Sequence, residues 1–402
     1  MIERKISAVS LIVAIIITAI VASVGTYFLA PREVVEKPGT KKLELIVGQI
    51  HVSPTDVGWS YQHAVCLDKV AEKYPFVRIL RAEDVPAGDY IRTAEAMIEQ
   101  GAKIIIGDTL EYVSPAIELA NSHPDIIVYN RVGTEPLPSN MGYFYADLYE
   151  AYYLDGLIAG AYTLVTGVNK IGFVAPHLIS DVYRYVNAFH LGAREINPNV
   201  ETKVIESGTW FDPPTERSIT QQLIQWGAVA IEHYQDSPAI NQACQDYYED
   251  TGNRVLCFSH ASPYLEYGPD VVAAGHIEAW DVIYEKYIIY ALANQTLHED
   301  FWGYIGNGVV VFGADYDVMI NPNIIDMLEE VTVSDPVLGE VSVYDLIMYR
   351  LSQFKDPRVT FHIFTGPIYD VDGNLKLKPG EVMDLNALRY EFDWFVEGVI
   401  PP

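Results

Sequence analysis

Aromatic rings and single carboxyl groups follow several apolar runs of the sequence. Such side chains can bind a flat, uncharged ring, because an aromatic partner stacks on its face and a carboxylate accepts from N–H groups at its edge. The predicted ligand-binding residues are Trp59, Tyr61, Asp108, Tyr112, Trp210, Asp236 and Trp280. Few lysines or arginines accompany them, so the pattern favours an uncharged ligand.

Each of these residues also has a structural interpretation. Trp59 can cover the end of a hydrophobic core, and Trp280 can pack at a hinge. Asp236 precedes a serine and a proline, so it can cap a helix instead of contacting a ligand. Asp212 precedes two prolines, and there capping is the favoured role.

The sequence contains no arrangement of residues for covalent catalysis or for a resident cofactor. Its 10 histidines form neither H-x-x-x-H nor H-E-x-x-H, and the glycine-rich nucleotide motifs and G-x-S-x-G are absent. DVDGN at 370–374 begins like a calcium loop but lacks the remaining ligands, so it predicts a hairpin turn. We therefore expect no catalytic residue, no metal and no cofactor.

The charge balance limits the kinds of partner. Asp and Glu number 54 against 26 Lys and Arg, which gives a net charge of -28. Such a surface repels phosphate backbones, and nucleic acid is excluded as a partner. Half of the residues are hydrophobic and a fifth are charged, as in a folded globular protein.

The three cysteines, Cys66, Cys244 and Cys257, do not have the spacing of metal ligands. One alternative is a Cys244–Cys257 disulfide formed in an oxidising compartment. The other, which is commoner, is a pair of small buried side chains.

The amino-terminal segment is a candidate membrane anchor. Residues 6–30 carry no charge, and at 1.5 Å per residue such a run spans a hydrocarbon core of about 30 Å. The run is longer than the apolar part of a cleaved signal peptide, which has about 7 to 15 residues. We therefore expect an anchor within residues 1–30 and a linker at 31–42, with a long cleaved signal as the alternative.

From residue 43 onward, short apolar runs alternate with amphipathic stretches, which is typical of βαβ units and a parallel sheet. Predicted strands are 43–50, 103–106, 126–129, 170–174, 202–205, 228–232, 255–259 and 271–275. Predicted helices are 61–73, 90–100, 149–166, 180–197, 214–226 and 239–251, several of them followed by a glycine that can end the helix.

So many strands indicate an α/β protein with two doubly wound parallel-sheet lobes joined by a hinge. We expect residues 43–146 with 276–303 in lobe 1 and residues 147–275 with 304–328 in lobe 2. Residues 329–402 would form an insertion and a carboxyl-terminal hairpin. Because ligands bind beyond the carboxyl ends of parallel strands, the predicted site lies between the lobes.

The chain also contains a series of motifs whose order is informative. They are DVGWSYQH at 56–63, YADLYEAYYLDGLIAG at 145–160, INPNV at 196–200, GTWFDP at 208–213, HYQDSPAI at 233–240 and FTGPIYDVDGNLKLKPGE at 364–381. Their order and spacing resemble the basic membrane protein family of transporter receptors, which includes the purine nucleoside receptors. The resemblance covers residues 43 to about 323 and 361–381.

The resemblance implies a type I periplasmic-binding-protein fold and an extracytoplasmic receptor that delivers its solute to ABC permease subunits. The branch with Gly-Trp-x-Tyr-Gln-His and Trp-Phe-Asp resembles receptors for a free purine base, so a purine base or nucleoside is the expected ligand. Two features depart from the pattern of the family. Residues 329–358 look like an insertion, and the lipid-bearing cysteine is missing.

Other functions remain open at this stage. A nucleoside-cleaving hydrolase would use Asp56, Asp108 and Asp236, although the sequence spaces these carboxylates singly. A membrane-tethered sensor would signal through residues 6–30, and a two-lobed receptor could take a sugar or a peptide.

Overall fold

A computed structural model describes residues 43–56, 58–131, 133, 136–356, 358 and 361–402. The predicted anchor at 1–30 and the linker at 31–42 lie outside these residues. In the part of the chain that is described, no helix is both long enough and apolar enough to cross a membrane.

Strands and helices alternate along most of the chain. The strands are β1 (Leu45–Ile50), β2 (Val77–Ala82), β3 (Ala102–Gly107), β4 (Ile127–Arg131), β5 (Met141–Ala146), β6 (Lys170–Ala175), β7 (Glu201–Glu206), β8 (Ala230–His233), β9 (Leu256–Ser259), β10 (Val272–Glu278), β11 (Asp300–Gly303), β12 (Val310–Phe312), β13 (Thr332–Asp335), β14 (Gly339–Ser342), β15 (Ile368–Tyr369), β16 (Leu375–Leu377) and β17 (Val399–Ile400). The helices are α1 (Gly58–Lys73), α2 (Tyr90–Glu99), α3 (Val113–Ser122), α4 (Tyr149–Thr166), α5 (Ser180–Ile196), α6 (Pro213–Trp226), α7 (Ala239–Thr251), α8 (Asp281–Leu292), α9 (Pro322–Glu330) and α10 (Val343–Lys355).

The strands form two large sheets of the same design. The first is a 6-stranded parallel sheet in the order β11-β5-β4-β3-β1-β2, and the second is a 7-stranded sheet in the order β12-β10-β9-β8-β6-β7-β17. In the second sheet only β12 pairs antiparallel to its neighbour, β10. Central strands such as β1 and β10 are buried along their whole length, because helices cover both faces of a parallel sheet.

The chain passes between the sheets at residues 146–149, 278–281 and 303–310. Two of these crossings hydrogen-bond to the third: the Asp147 amide donates to the Gly303 carbonyl at 2.7 Å, and the Ala279 amide donates to the Val309 carbonyl at 2.7 Å. Adjacent crossings of this kind form a hinge, since small changes of their backbone angles swing one sheet relative to the other.

The expected α/β architecture with two doubly wound sheets is confirmed. The predicted helices 149–166 and 239–251 match α4 and α7 residue for residue. Strands β2 and β5 were not predicted. In β2 only Val77 is buried, so the apolar signal of this strand is weak. Strand β5 carries three tyrosine or phenylalanine side chains next to a glycine rather than a run of aliphatic residues.

The carboxyl-terminal region adds smaller elements to this framework. Helix α10 packs against α4, and β17 joins the second sheet beside β7. The turn predicted at 370–374 is confirmed: β15 and β16 pair antiparallel, Gly373 has φ 79°, and the Asn374 amide donates to the Asp370 carboxylate at 2.8 Å.

Two other predictions concern local chemistry. Asp212 caps α6 as expected, since its carboxylate accepts from the Thr215 amide. Cys66, Cys244 and Cys257 are buried free thiols, so the Cys244–Cys257 disulfide is not formed and the alternative of small buried side chains holds.

Helices α4 and α5 pack closely through glycines. A Cβ atom added at Gly156 of α4 would lie 2.1 Å from the Phe189 carbonyl oxygen of α5. A Cβ atom added at Gly192 of α5 would lie 2.1 Å from the Tyr153 carbonyl oxygen. The obstacle is backbone in both cases, so no change of rotamer can relieve it.

We therefore expect Gly156→Ala to lower the free energy of unfolding by about 1 to 3 kcal/mol, the usual cost of overpacking. This loss should appear although alanine favours helix over glycine by about 1 kcal/mol. Gly88→Ala is the control, because a Cβ atom there meets nothing within 4 Å. Urea unfolding of both variants tests the packing, and a Gly156→Ala protein as stable as wild type would contradict it.

Candidate ligand-binding cleft

Residues at the carboxyl ends of strands in both sheets surround one cavity of about 210 Å³. Its lining comprises Val52, Ser53, Trp59, Asp108, Thr109, Leu110, Glu111, Arg131, Thr209, Trp210, Phe211, Tyr234 and Asp236. Sites for drug-sized ligands measure roughly 300 to 1,000 Å³, so this one fits a smaller molecule. In the first sheet it lies beyond β1 and β3, where the strand order reverses and α/β sheets usually bind ligands.

Four aromatic side chains form much of the wall: Trp59, Trp210, Phe211 and Tyr234. Trp59 is only 6% exposed, and its indole nitrogen donates to the Asp108 carbonyl at 2.8 Å. Trp210 and Tyr234 lie edge to face, with ring centroids 5.8 Å apart. Phe211 is 41% exposed, so an apolar surface remains open to a ligand.

Asp108 lines the cavity, but its carboxylate already has several partners in the first lobe. The Val52 amide donates to one oxygen at 3.1 Å, and the Ser60 hydroxyl donates to the other at 2.8 Å. His51 lies 2.8 Å from that second oxygen. Burial opposes ionisation, but His51 and these hydrogen bonds lower the pKa of Asp108 below its usual value. Its main role in this arrangement is to hold the end of β1 and the start of α1.

Asp236 is in the opposite situation. Burial raises its pKa to about 8, with Arg131 acting against the rise and Glu216 adding to it. The capping alternative is wrong for this residue, because α7 has Pro238 as its N-cap and the Ser237 hydroxyl accepts from the Ala239 amide. Asp236 therefore lines the cavity without capping a helix.

Arg131 and Tyr234 are the functional candidates that the sequence patterns missed. A terminal nitrogen of Arg131 donates to the Tyr234 hydroxyl at 3.1 Å, which links the two lobes. The predicted strand ended at 129, whereas β4 continues to Arg131 and places its side chain at the strand end. Had the predicted strand extended two residues further, it would have included Arg131 at its end.

The lobes approach each other closely around the cavity. The Ser262 hydroxyl donates to the Gly58 carbonyl at 2.8 Å, and the Gln62 amide nitrogen donates to the Glu278 carbonyl at 2.6 Å. A Cβ atom added at Gly58 would lie 1.8 Å from the Asp236 carbonyl oxygen. The described conformation is therefore closed, and Gly58 permits that closure.

Tyr61 and Tyr112 do not belong to the lining of this cavity. Tyr61 lines a separate cavity of about 90 Å³ together with Asp56 and Tyr264. Tyr112 is fully buried, and its hydroxyl donates to the Val85 carbonyl.

Trp280 also lies outside the lining. Trp280 is fully buried, and its ring stacks on that of His63 with centroids 4.7 Å apart. Its ring also packs edge to face against Trp59, with centroids 5.9 Å apart. Trp280 therefore contacts Trp59 without lining the cavity. Glu150 accepts from the Ile305 amide at 3.3 Å beside a crossing, where burial raises its pKa to about 8.

Two carboxylates of the lining have hydroxyl partners. His51 and Ser60 both bond to the Asp108 carboxylate, and the Thr109 hydroxyl donates to the Glu111 carboxylate. Among the described residues, no group of three or more His, Cys, Asp or Glu side chains could hold a metal ion.

Comparison with known proteins identifies the family of this chain. Residues 45–342, more than half of the chain, match the family of PnrA-like ABC transporter substrate-binding proteins. The chain belongs to this family. The resemblance inferred from the motifs is thereby confirmed, and the family match ends within the region expected to be an insertion.

Two relatives of this PnrA-like protein carry informative names. A putative ABC transporter glucose-binding protein of Haloferax volcanii is 32% identical over 260 residues, which are 63% of this chain and 62% of that protein. A purine-binding protein of Brucella abortus is 27% identical over 359 residues, covering 89% of this chain and 93% of that protein. The chain thus spans less than two thirds of the Haloferax protein and nearly all of the Brucella protein.

Solved structures support the fold of the PnrA-like chain. A solute-binding protein of an ABC transporter system from Aeropyrum pernix superposes with a TM-score of 0.65 at 14% identity, covering 86% of this chain and 95% of that chain. One from Conexibacter woesei gives 0.58 at 18% identity, covering 77% and 96%. The expected periplasmic-binding-protein fold is therefore confirmed.

The raised pKa of Asp236 predicts a pH-dependent stability. The folded-state value of about 8 lies above the unfolded value of about 3.9. The folded protein therefore keeps a proton that the unfolded chain releases, and the associated stability is lost as the pH rises through 8. We expect Asp236→Asn, which cannot ionise, to gain stability relative to wild type between about pH 4 and pH 8.

Urea unfolding of both proteins across that pH range measures the difference. Asp372→Asn serves as the control, because Asp372 is exposed. A difference between Asp236→Asn and wild type that does not change with pH would show that this carboxyl group is not desolvated.

Proposed function

We propose that this protein captures a purine base or nucleoside outside the cytoplasm and delivers it to the permease subunits of an ABC importer. The observation that carries the proposal is the small cavity between the lobes, which is lined by aromatic rings and by Asp236. A purine has a flat face for the rings and a polar edge for hydrogen bonds, and it is uncharged at neutral pH. Its chemistry therefore complements that of the lining.

The comparisons support the proposal at two levels. Membership of the ABC substrate-binding family implies a small-molecule ligand and a permease. The Brucella relative, which is matched over nearly its whole length, is named as purine-binding. The location follows from the same family, with residues 6–30 as the proposed membrane anchor or, alternatively, as a cleaved signal.

A sugar is the second candidate, because the Haloferax relative is named as glucose-binding. A monosaccharide has hydroxyl groups around its ring, and each of them loses free energy when it is buried without a partner. In this cavity four of the lining side chains are aromatic, and the Asp108 carboxylate is already engaged. The lining therefore favours a ligand with an aromatic face.

Turnover of the ligand is not part of the proposal. A hydrolase built on Asp56, Asp108 and Asp236 would need these carboxylates around one ligand, and Asp56 lines a different cavity. Incubation with inosine, followed by chromatography for free hypoxanthine, distinguishes capture from cleavage.

Calorimetry with hypoxanthine, adenine, inosine and glucose tests the ligand class. We expect binding of at least one purine and no measurable binding of glucose. Trp210→Ala should weaken purine binding by roughly 1 to 3 kcal/mol, the contribution of one stacking partner. Binding of glucose alone, or equal affinity of the Trp210→Ala variant, would contradict the proposal.

Closure of the lobes predicts a specific effect at Gly58. In Gly58→Ala the new methyl group would collide with the Asp236 carbonyl, so the lobes could not close and purine affinity should fall at least about tenfold, equivalent to 1.4 kcal/mol. The matched control is Gly208→Ala. Gly208 has φ 75° against 78° at Gly58, but a Cβ atom there meets nothing within 4 Å.

Both alanine variants carry similar backbone strain, so the difference between them isolates the collision. Calorimetric affinities for the tightest-binding purine provide the measurement. Equal affinities of the two variants would mean that closure does not depend on Gly58.

A further inference from the structure

Arg131, which lines the cavity, has a hydrogen-bond donor that no described residue accepts from. The side chain is 8% exposed and lines the cavity. One terminal nitrogen donates to the Tyr234 hydroxyl, while Nε has no hydrogen-bond partner among the described residues. A guanidinium group has five N–H donors, and a buried donor without a partner costs free energy. An acceptor on the ligand would remove that cost.

The guanidinium group is also held in place. Its central carbon lies 4.8 Å from the centre of the Trp59 ring and 4.7 Å from that of Tyr145. Burial alone would lower the pKa of Arg131, but Tyr234, Tyr145 and Asp181 keep it above the usual value. The group is therefore a positioned cation in a water-poor site, and a positioned donor discriminates between ligands without losing side-chain entropy on binding.

The opposite lobe supplies an acceptor. Asp236 lines the same cavity, and its carboxyl group retains an accepting oxygen whether or not it is protonated. The cavity thus has donors from β4 of the first sheet and an acceptor beyond β8 of the second. Glu111 and Asp108 add negative charge to the lining, which disfavours an anionic ligand as the partner of Arg131.

Among purines, this arrangement matches those with an oxygen at position 6. Hypoxanthine and guanine present O6 and N7 side by side as acceptors, and arginine pairs with that edge through two hydrogen bonds. Their N1–H group then remains for a carboxyl oxygen. Adenine has an amino group at position 6, so it presents a donor to the donors of Arg131.

We infer that the site selects 6-oxopurines over adenine and that Arg131 is the residue that determines this specificity. The inference rests on the proposed function, because it applies only if the ligand is a purine. It concerns the base alone, so it holds for inosine and guanosine as well as for the free bases.

Calorimetry at neutral pH with hypoxanthine, adenine and unsubstituted purine tests the inference. Wild type should bind hypoxanthine at least about tenfold more tightly than adenine, since a hydrogen bond to a charged group accounts for such a factor. Arg131→Met, which keeps the length of the side chain and removes its donors, should lose most of this preference. Arg131→Lys keeps the charge but cannot form two parallel hydrogen bonds, so its preference for hypoxanthine over adenine should lie between those of wild type and Arg131→Met.

Ser262→Ala is the matched control, because it removes another hydrogen bond between the lobes, from the Ser262 hydroxyl to the Gly58 carbonyl, and Ser262 is not part of the cavity lining. If Arg131 acted only by closing the lobes, Ser262→Ala and Arg131→Met would weaken all three ligands by similar factors. We expect instead that Ser262→Ala leaves the ratio of hypoxanthine to adenine affinity unchanged. Thermal unfolding of each variant verifies that it is folded.

The outcomes separate this inference from the proposed function. Wild type that binds adenine as tightly as hypoxanthine would overturn the inference and leave purine capture standing. An Arg131→Met protein with an unchanged preference for hypoxanthine would have the same two consequences. Binding of glucose without any purine would overturn both. If Arg131→Met does not fold, the wild-type preference and the Arg131→Lys variant still decide the matter.

Discussion

The carboxylate of Asp108 organises the first half of the binding site. It is buried at the end of β3, where an unpartnered charge would be costly, and it is satisfied by His51, the Val52 amide and Ser60. These partners come from the end of β1 and from α1, so the carboxylate holds a segment that lies 48 to 57 residues earlier in the sequence. The Asp108 carbonyl also accepts from the Trp59 indole, and this bond sets the position of the ring in the cleft.

Each lobe contributes a polar group to the lining of the cavity. Asp236 has a raised pKa because it is desolvated, and Arg131 reaches across to Tyr234 but retains an unpaired donor. Under the proposed function, a ligand with a donor and an acceptor on one edge would pair with both groups, and its binding would then be coupled to closure. The close approach at Gly58 allows the two lobes to come near enough for this coupling.

The hinge is reinforced by the carboxyl-terminal region, beyond the end of the family match. Arg184 of α5 is fully buried, lies 3.0 Å from the Asp147 carboxylate at a crossing, and donates to the Leu388 carbonyl at 2.8 Å. The next residue, Arg389, lies 3.9 Å from the ring centre of Trp302 at the end of β11. The carboxyl-terminal segment thus contacts both lobes near the places where the chain crosses between them.

The alternation of apolar and amphipathic stretches was sufficient to predict the two-sheet architecture, and α4 and α7 were located correctly because the period of a helix and its closing glycine are local properties. Trp59, Asp108, Trp210 and Asp236 line the cavity, and they were predicted for a similar reason, since they lie in the segments that follow strands. The tertiary structure decided the rest. Tyr61, Tyr112 and Trp280 are also near strand ends, but they lie in other environments, because the direction of a side chain depends on the path of the loop and on what packs against it. Arg131 and Tyr234 come from different lobes. Their 3.1 Å contact joins residues 103 positions apart, and no local pattern in the sequence encodes a distance of that kind.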